Sequence, residues 1–264
     1  MGDVMELLKG RVAIVSGIGP GVGKEVAYAF AREGADVVLA ARTASALEQV
    51  ALGIQKRRQK ALCVPTDIAK PEDCQRLIEL AVKQFGRVDV LVNNAFLTHP
   101  WGPIESADFE AWKRILDVNL FGSLRLSQLV IPHMRRRGGG SIVMVNTMSM
   151  RIIEPNVGGY ASSKAALMTA TQTLAKEIGP DGIRVNSVVP GYIWSDKMEA
   201  YFQHLANEQG RKYEEVRAEV ENKTALHHIP DSTEIADAVL FFASDLSRGC
   251  TGQALDVNGG HYFH

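Results

Sequence analysis

Seven short apolar runs, at 12–15, 36–41, 61–64, 88–92, 141–146, 183–189 and 254–257, punctuate the chain, and their β-branched content predicts strands. Residues 88–92 are apolar almost throughout, the pattern of a strand covered on both faces. Between the runs the apolar spacing lengthens to three and four, which predicts amphipathic helices. Val26, Ala27, Phe30 and Ala31 share one helical face; so do Leu47, Val50 and Ile54, and then Leu77, Ile78, Ala81 and Phe85. Pro71-Glu72-Asp73 suits the first turn of the third helix. A long helix is predicted from about 106 to 136, with Pro132 as its first strong breaker, and another over 158–178. Alternation lapses from Ser195 to about Ile229. There Met198, Tyr201, Phe202 and Leu205 form one helical stripe, and Tyr213, Val216 and Val220 a second. It resumes at Ser232-Thr233-Glu234-Ile235, a helix start leading to Ala238, Val239, Phe241 and Phe242. The whole predicts an α/β chain of one domain, 1–264, with a helical lid inserted at 195–229.

Composition narrows the function classes. Hydrophobic residues make up 46 % and charged residues 22 %, enough to bury a substantial core. The net charge of −1 argues against a nucleic-acid or anionic-membrane surface. Cys63, Cys74 and Cys250 have no metal-ligand spacing, so reduced thiols and no metal are expected. No apolar run approaches the ~18 residues of a membrane span. The first residues show no basic-then-apolar signal, and Glu6 stands where a myristoylation signal needs Ser or Thr. A cytoplasmic location is expected. Arg135-Arg136-Arg137 reads as complementing a helix C-terminus in solvent.

Candidate chemistry gathers at the strand ends. The first strand runs into Ser16-Gly17-Ile18-Gly19-Pro20-Gly21-Val22-Gly23, and a helix follows at once. Strand, glycine turn and helix in that order let backbone and helix N-terminus approach a pyrophosphate, so Gly17, Gly21, Val22 and Gly23 are candidate cofactor contacts. The second strand ends in Ala41, where an acid would hold a ribose 2′-hydroxyl, and Arg42 follows. Arg42 is therefore read as a partner for a 2′-phosphate, favouring NADP(H) over NAD(H). Asn119 lies inside the long helix against its propensity, which points to a special role. Tyr160 and Lys164 sit four residues apart, about 6 Å along a helix axis and on one face. An ammonium that close favours the phenolate and makes a proton-exchanging tyrosine.

Ser16-Gly17-x-x-x-Gly21-x-Gly23, Asn93-Asn94-Ala95, Asn119, Tyr160-x-x-x-Lys164, Pro190-Gly191 and Gly252-Gln253 with Asn258-Gly259-Gly260 follow one another in fixed order. Across nearly its whole length the chain resembles the single-domain short-chain dehydrogenases/reductases. The resemblance implies a Rossmann-like αβα sandwich with a parallel seven-stranded sheet. It implies Tyr160 as general acid/base, Lys164 on the nicotinamide ribose and Asn119 anchoring a relay water. Asp67 and Ile68 would meet adenine, Asn93 and Ala95 its ribose and the nicotinamide side. Pro190 and Gly191 would also bind the cofactor, while Ile193, by its backbone, and Ser195 would fix the carboxamide. A homotetramer is expected on the same ground, through the 106–136 and 158–178 helices.

Three positions depart from the family pattern. Thr147 stands thirteen residues before Tyr160, where serine is usual, with Ser149 as a rival hydroxyl. Phe96 replaces the glycine after Asn-Asn-Ala, and Asn258 replaces an aspartate. The expected activity is NADP(H)-dependent interconversion of a secondary alcohol and a ketone. Phe96, Met148, Met150, Ile152, Ile153, Trp194 and the two lid stripes suggest a largely apolar substrate, which Thr147, Ser149 and Tyr160 would also touch. The rivals are reduction of a 3-oxoacyl thioester on a carrier protein and a non-catalytic cofactor sensor.

Overall fold

A computed structural model describes residues 6–263, so the reading of the first five residues lies outside the described part. Seven parallel strands form one sheet in the order β3-β2-β1-β4-β5-β6-β7. They are β1 Val12–Ser16, β2 Asp36–Ala41, β3 Ala61–Pro65, β4 Val90–Asn93, β5 Gly140–Val145, β6 Ile183–Pro190 and β7 Ala254–Val257.

Strand period and helix stripe together make two cores. Ala13, Val15, Val37, Leu39, Val90, Val92, Val143 and Val145 point to one face, against Val26 and Phe30 of α1 (Val22–Arg32). Leu47 and Ile54 of α2 (Ala44–Gln55) and Val239 and Phe242 of α9 (Ser232–Ala243) complete that layer. Val12, Ile14, Val38, Ala40, Leu91, Ile142 and Met144 point the other way. They meet Leu77 and Ile78 of α3 (Pro71–Phe85), Leu126 and Val130 of α5 (Ser123–Arg136), and Leu167 and Ile178 of α6 (Gly158–Ile178). Asp231 opens α9 with a capping box: it accepts from Thr233 N–H and Glu234 N–H, and Glu234 reaches back to the Asp231 N–H.

The long helix differs from its expected bounds. It begins as α4, Phe109–Leu116, because Asp108 accepts from the Glu110 and Ala111 N–H groups and caps it there. It then widens to a π-helical turn, Asp117–Gly122, before α5. Pro132 lies inside α5 and does not end it, so the helix runs on to Arg136. Arg135 pairs with Asp181 at 2.7 Å and Arg136 contacts His133, as expected of a solvated C-terminal cluster.

The segment after β6 carries α7, Asp196–Gln209, and α8, Tyr213–Glu221. Phe202, Ala206, Val216 and Ile229 form a third small core, with Met198, Leu205, Tyr213 and Val220 around it. Tyr201 departs from its stripe and stands exposed. No helix among the described residues is long and apolar enough to cross a membrane.

Phe30 is fully buried between α1 and the sheet. Phe30→Ala should lower the unfolding free energy by about 3–5 kcal/mol; urea denaturation of the two proteins measures this.

Candidate active site

The strand order reverses direction between β1 and β4, so their C-terminal ends open a crevice. Gly17 leaves β1 with φ +79°, and a Cβ there would lie 2.4 Å from the Ala95 nitrogen beyond β4. Asn94 secures the approach: its N–H donates to Ser16 Oγ at 3.3 Å and its Nδ2 to the Gly17 carbonyl at 2.8 Å. A Cβ on Gly23 would lie 2.4 Å from the same carbonyl, so α1 starts directly beneath the turn. Space is open above Gly19, and the N-cap Gly21 leaves Val22 and its neighbours without a side-chain cap. Beside the turn lies a cleft of about 250 Å³, lined by Gly17, Arg42, Asp67, Ile68, Ala95 and Phe96 among others. An uncapped helix start under open glycines, next to such a cleft, fits a dinucleotide.

Arg42 is exposed at the cleft and forms no ion pair among the described residues. Thr43 follows as the N-cap of α2, with no side-chain cap bond. Asp67 and Ile68 line the cleft from the turn after β3, and Gly122 packs tightly on Ile68. Asn93 is not at the cleft surface: it is buried, its Nδ2 turned to Ser127 Oγ and Met144 Sδ.

Asn119 sits in the π turn, fully buried. Its Oδ1 accepts from the Leu97 N–H at 2.7 Å, while its Nδ2 donates to the Leu97 carbonyl and to Ser163 Oγ, both at 2.9 Å. Both amide donors are thus committed within the protein. The side chain clamps the segment at Leu97.

Tyr160 and Lys164 lie on α6, and β5 supplies their partners. The Tyr160 hydroxyl lies beside the Thr147 side chain. Thr147 Oγ1 also accepts from the Ser149 N–H at 3.3 Å and lies 3.2 Å from Ser149 Oγ. The two candidate hydroxyls are therefore linked, with Thr147 next to the phenol. Lys164 Nζ donates to the Val145 carbonyl at 2.7 Å and is almost fully buried. Burial pushes the Lys164 pKa down to about 7. Burial also pushes Tyr160 up to about 12, opposed by the neighbouring Thr147 side chain. The spacing argument expected the ammonium to lower the phenol. Desolvation is the stronger effect on each group.

Pro190 ends β6, and Gly191 follows against Asn258 and Met148, while Tyr192 stacks on His261 with ring centroids 5.6 Å apart. Asn258 Oδ1 accepts from the Gly260 and His261 N–H groups and its Nδ2 donates to the Tyr262 carbonyl, a donation aspartate cannot make. Ile193 packs on the first core. Ser195 accepts from the Met198 N–H as the N-cap of α7. Trp194, expected in the substrate site, instead joins the α7–α8 core: its ring lies 6.1 Å from Phe202 and 4.6 Å below the Arg217 guanidinium. Sequence reading did not assign Asn94, Leu97 or Ser163 to the site. Asn94 was visible inside its motif, but Leu97 acts only through its backbone and carries no side-chain signal.

A family model described as enoyl-(acyl carrier protein) reductase matches residues 17–262. The 7alpha-hydroxysteroid dehydrogenase of Escherichia coli (strain K12) is 34 % identical over 255 residues, covering 96 % of this chain and 94 % of that protein. The solved 7 alpha-hydroxysteroid dehydrogenase complexed with NADH and 7-oxo glycochenodeoxycholic acid superposes with a TM-score of 0.88 at 32 % identity, over 98 % and 97 % of the two chains. L-Sorbose reductase from Gluconobacter frateurii, complexed with NADPH and L-sorbose, gives 0.90 at 30 % identity, over 97 % and 98 %. Fold and relatives define a nicotinamide-dependent oxidoreductase acting between alcohol and carbonyl. The chain belongs to the short-chain dehydrogenase/reductase family.

Lys164 titrates near pH 7 when folded and near 10.5 in the reference state. Between these values the unfolded chain binds more protons, so Lys164 makes stability rise with pH from about 7 to about 10.5, and the effect levels off below 7. The raised Tyr160 pKa acts with opposite sign only above about pH 10. Denaturant midpoints at pH 7, 8 and 9 should show wild type gaining on Lys164→Met as pH rises. Parallel curves would contradict the assignment.

Proposed function

We propose that the protein is an NADP(H)-dependent enzyme interconverting a secondary alcohol and a ketone on a largely apolar substrate. The observation that carries the reaction is the Tyr160–Thr147 hydroxyl pair beside a buried Lys164, at the end of a dinucleotide cleft. Gly17, Gly21, Val22 and Gly23 hold the pyrophosphate, and Asp67, Ile68 and Ala95 the adenosine half. Bound nicotinamide supplies or accepts the hydride. Tyr160, kept protonated by burial, gives its proton to the carbonyl oxygen during reduction and recovers one from the alcohol in oxidation. Thr147, steadied by Ser149, hydrogen-bonds that same oxygen. Lys164, when charged, stabilises the phenolate left behind. Asn119 positions the segment beneath, through Leu97.

The absence of an acid at Ala41, the unpaired Arg42 and the uncapped start of α2 support a 2′-phosphate. An apolar rim supports the substrate class. Ile104 packs near Gly158 at the start of α6, Ile153 stands on the loop before it, and Tyr192 follows Gly191; all are exposed. The Gly102 N–H donates to the Asn156 carbonyl and joins two of these loops. The α7–α8 pair closes over this rim as a lid. Assembly as a cytoplasmic homotetramer belongs to the same proposal, supported by a cleft of about 720 Å³ between α5 and α6, with exposed Phe121 and with Leu124, Ile131 and Leu174.

Tyr160→Phe should lower kcat by about 10²–10⁴-fold with ketone and NADPH, read as loss of absorbance at constant cofactor affinity; full activity would sink the mechanism. Arg42→Ala should raise KM for NADPH about tenfold or more and leave NADH nearly unchanged, since a charge-assisted pair is worth about 1.5–3 kcal/mol. Equal effects on the two cofactors would remove the 2′-phosphate argument.

A further inference from the structure

Phe96 lies between two backbone anchors. On one side Ala95 packs against Gly17 and Asn94 is bonded to Ser16 and Gly17. On the other, Asn119 binds both the N–H and the carbonyl of Leu97. The main chain here is fixed, and only the two side-chain torsions of Phe96 are free to turn. The side chain is 57 % exposed and lines the cleft with Gly17 and Asp67. Its other side faces the catalytic groups: the ring centroid is 6.0 Å from Lys164 Nζ and 6.3 Å from the Tyr160 ring, tilted by 52°.

We propose that Phe96 is an aromatic gate, whose ring shields Lys164 from the cleft and rotates out to admit the nicotinamide half of a dinucleotide. The gate rests on the dinucleotide reading of the site. A hydroxyl bonded to Nζ lies about 3 Å from it, and an atom packed on the ring face lies about 3.5–4 Å above it. The 6.0 Å between Nζ and the ring centroid does not hold both spans and the sugar ring that joins them. Smaller displacement is closed to the segment, because both flanking peptides are held. The interaction between ammonium and ring face is attractive, which favours the closed position.

Two measurements on wild type, Phe96→Gly and the bulk-retaining Phe96→Leu test the gate. Dissociation constants for NADPH and NADH come from protein-fluorescence titration. A closed state populated at about 90 % or more makes the Gly variant bind about tenfold tighter or better. Labelling of Lys164 by an amine-reactive probe, without dinucleotide and read by peptide mass spectrometry, should be faster in the Gly variant, with Leu between. Unchanged affinity in the Gly variant overturns the gate, and so does tighter binding without faster Lys164 labelling. Binding of either dinucleotide to none of the three proteins would overturn the reading of the site, and the gate with it.

Discussion

The close contact of Gly17 with Ala95 is the constraint on which the rest of the site depends. It occurs where the sheet order reverses, so two chain segments leave adjacent strand ends in opposite directions and must cross without side chains between them. Three devices serve that crossing. Glycine removes the Cβ and tolerates φ +79°, Asn94 ties the crossing segment to Ser16 and Gly17, and Asn119 holds its far end from a different helix. The π turn at Asp117–Gly122 belongs with them, since it carries Asn119 on a helix that otherwise runs past. The glycine turn and the catalytic helix, distant in sequence, are coupled through one short peptide segment.

Burial governs the electrostatics of Tyr160 and Lys164. Spacing along a helix brings a phenol and an ammonium onto one face, and in water that would favour phenolate. In the closed interior neither charge is favoured, so the phenol holds its proton more tightly and the lysine less tightly. Near neutral pH such a phenol keeps its proton, while the lysine is poised between its charged and neutral forms. The charges of the pair become useful only as hydroxyls and solvent-like dipoles are brought to it, and Thr147 and Ser149 supply the first of these.

The sheet was legible because each strand is a short, mostly apolar run, and the alternate positions of β1, β2, β4 and β5 divide cleanly between two helix layers. Helix ends were less legible. Nothing in the apolar stripe shows that Asp108 caps α4, or that Pro132 is carried inside α5, because both depend on which backbone groups need partners. Around the cleft, residues whose chemistry is in the side chain could be named from sequence, as Tyr160, Lys164, Thr147 and Arg42 were. Leu97 and Val145 were not, since they act through peptide groups that every residue has. That Trp194 packs with Phe202 and Arg217 was not legible, because an aromatic near a pocket and one in a core look alike in one dimension and these partners lie on other turns of chain.

Phe202, Val216 and Ile229 pack among themselves, apart from the two cores that flank the sheet. A segment with its own small interior can be exchanged, lengthened or redrawn by mutation while the strands, the glycine turn and α6 keep their packing. In this chain the α7–α8 unit can therefore be repacked without disturbing the two cores that hold the glycine turn and α6 in place.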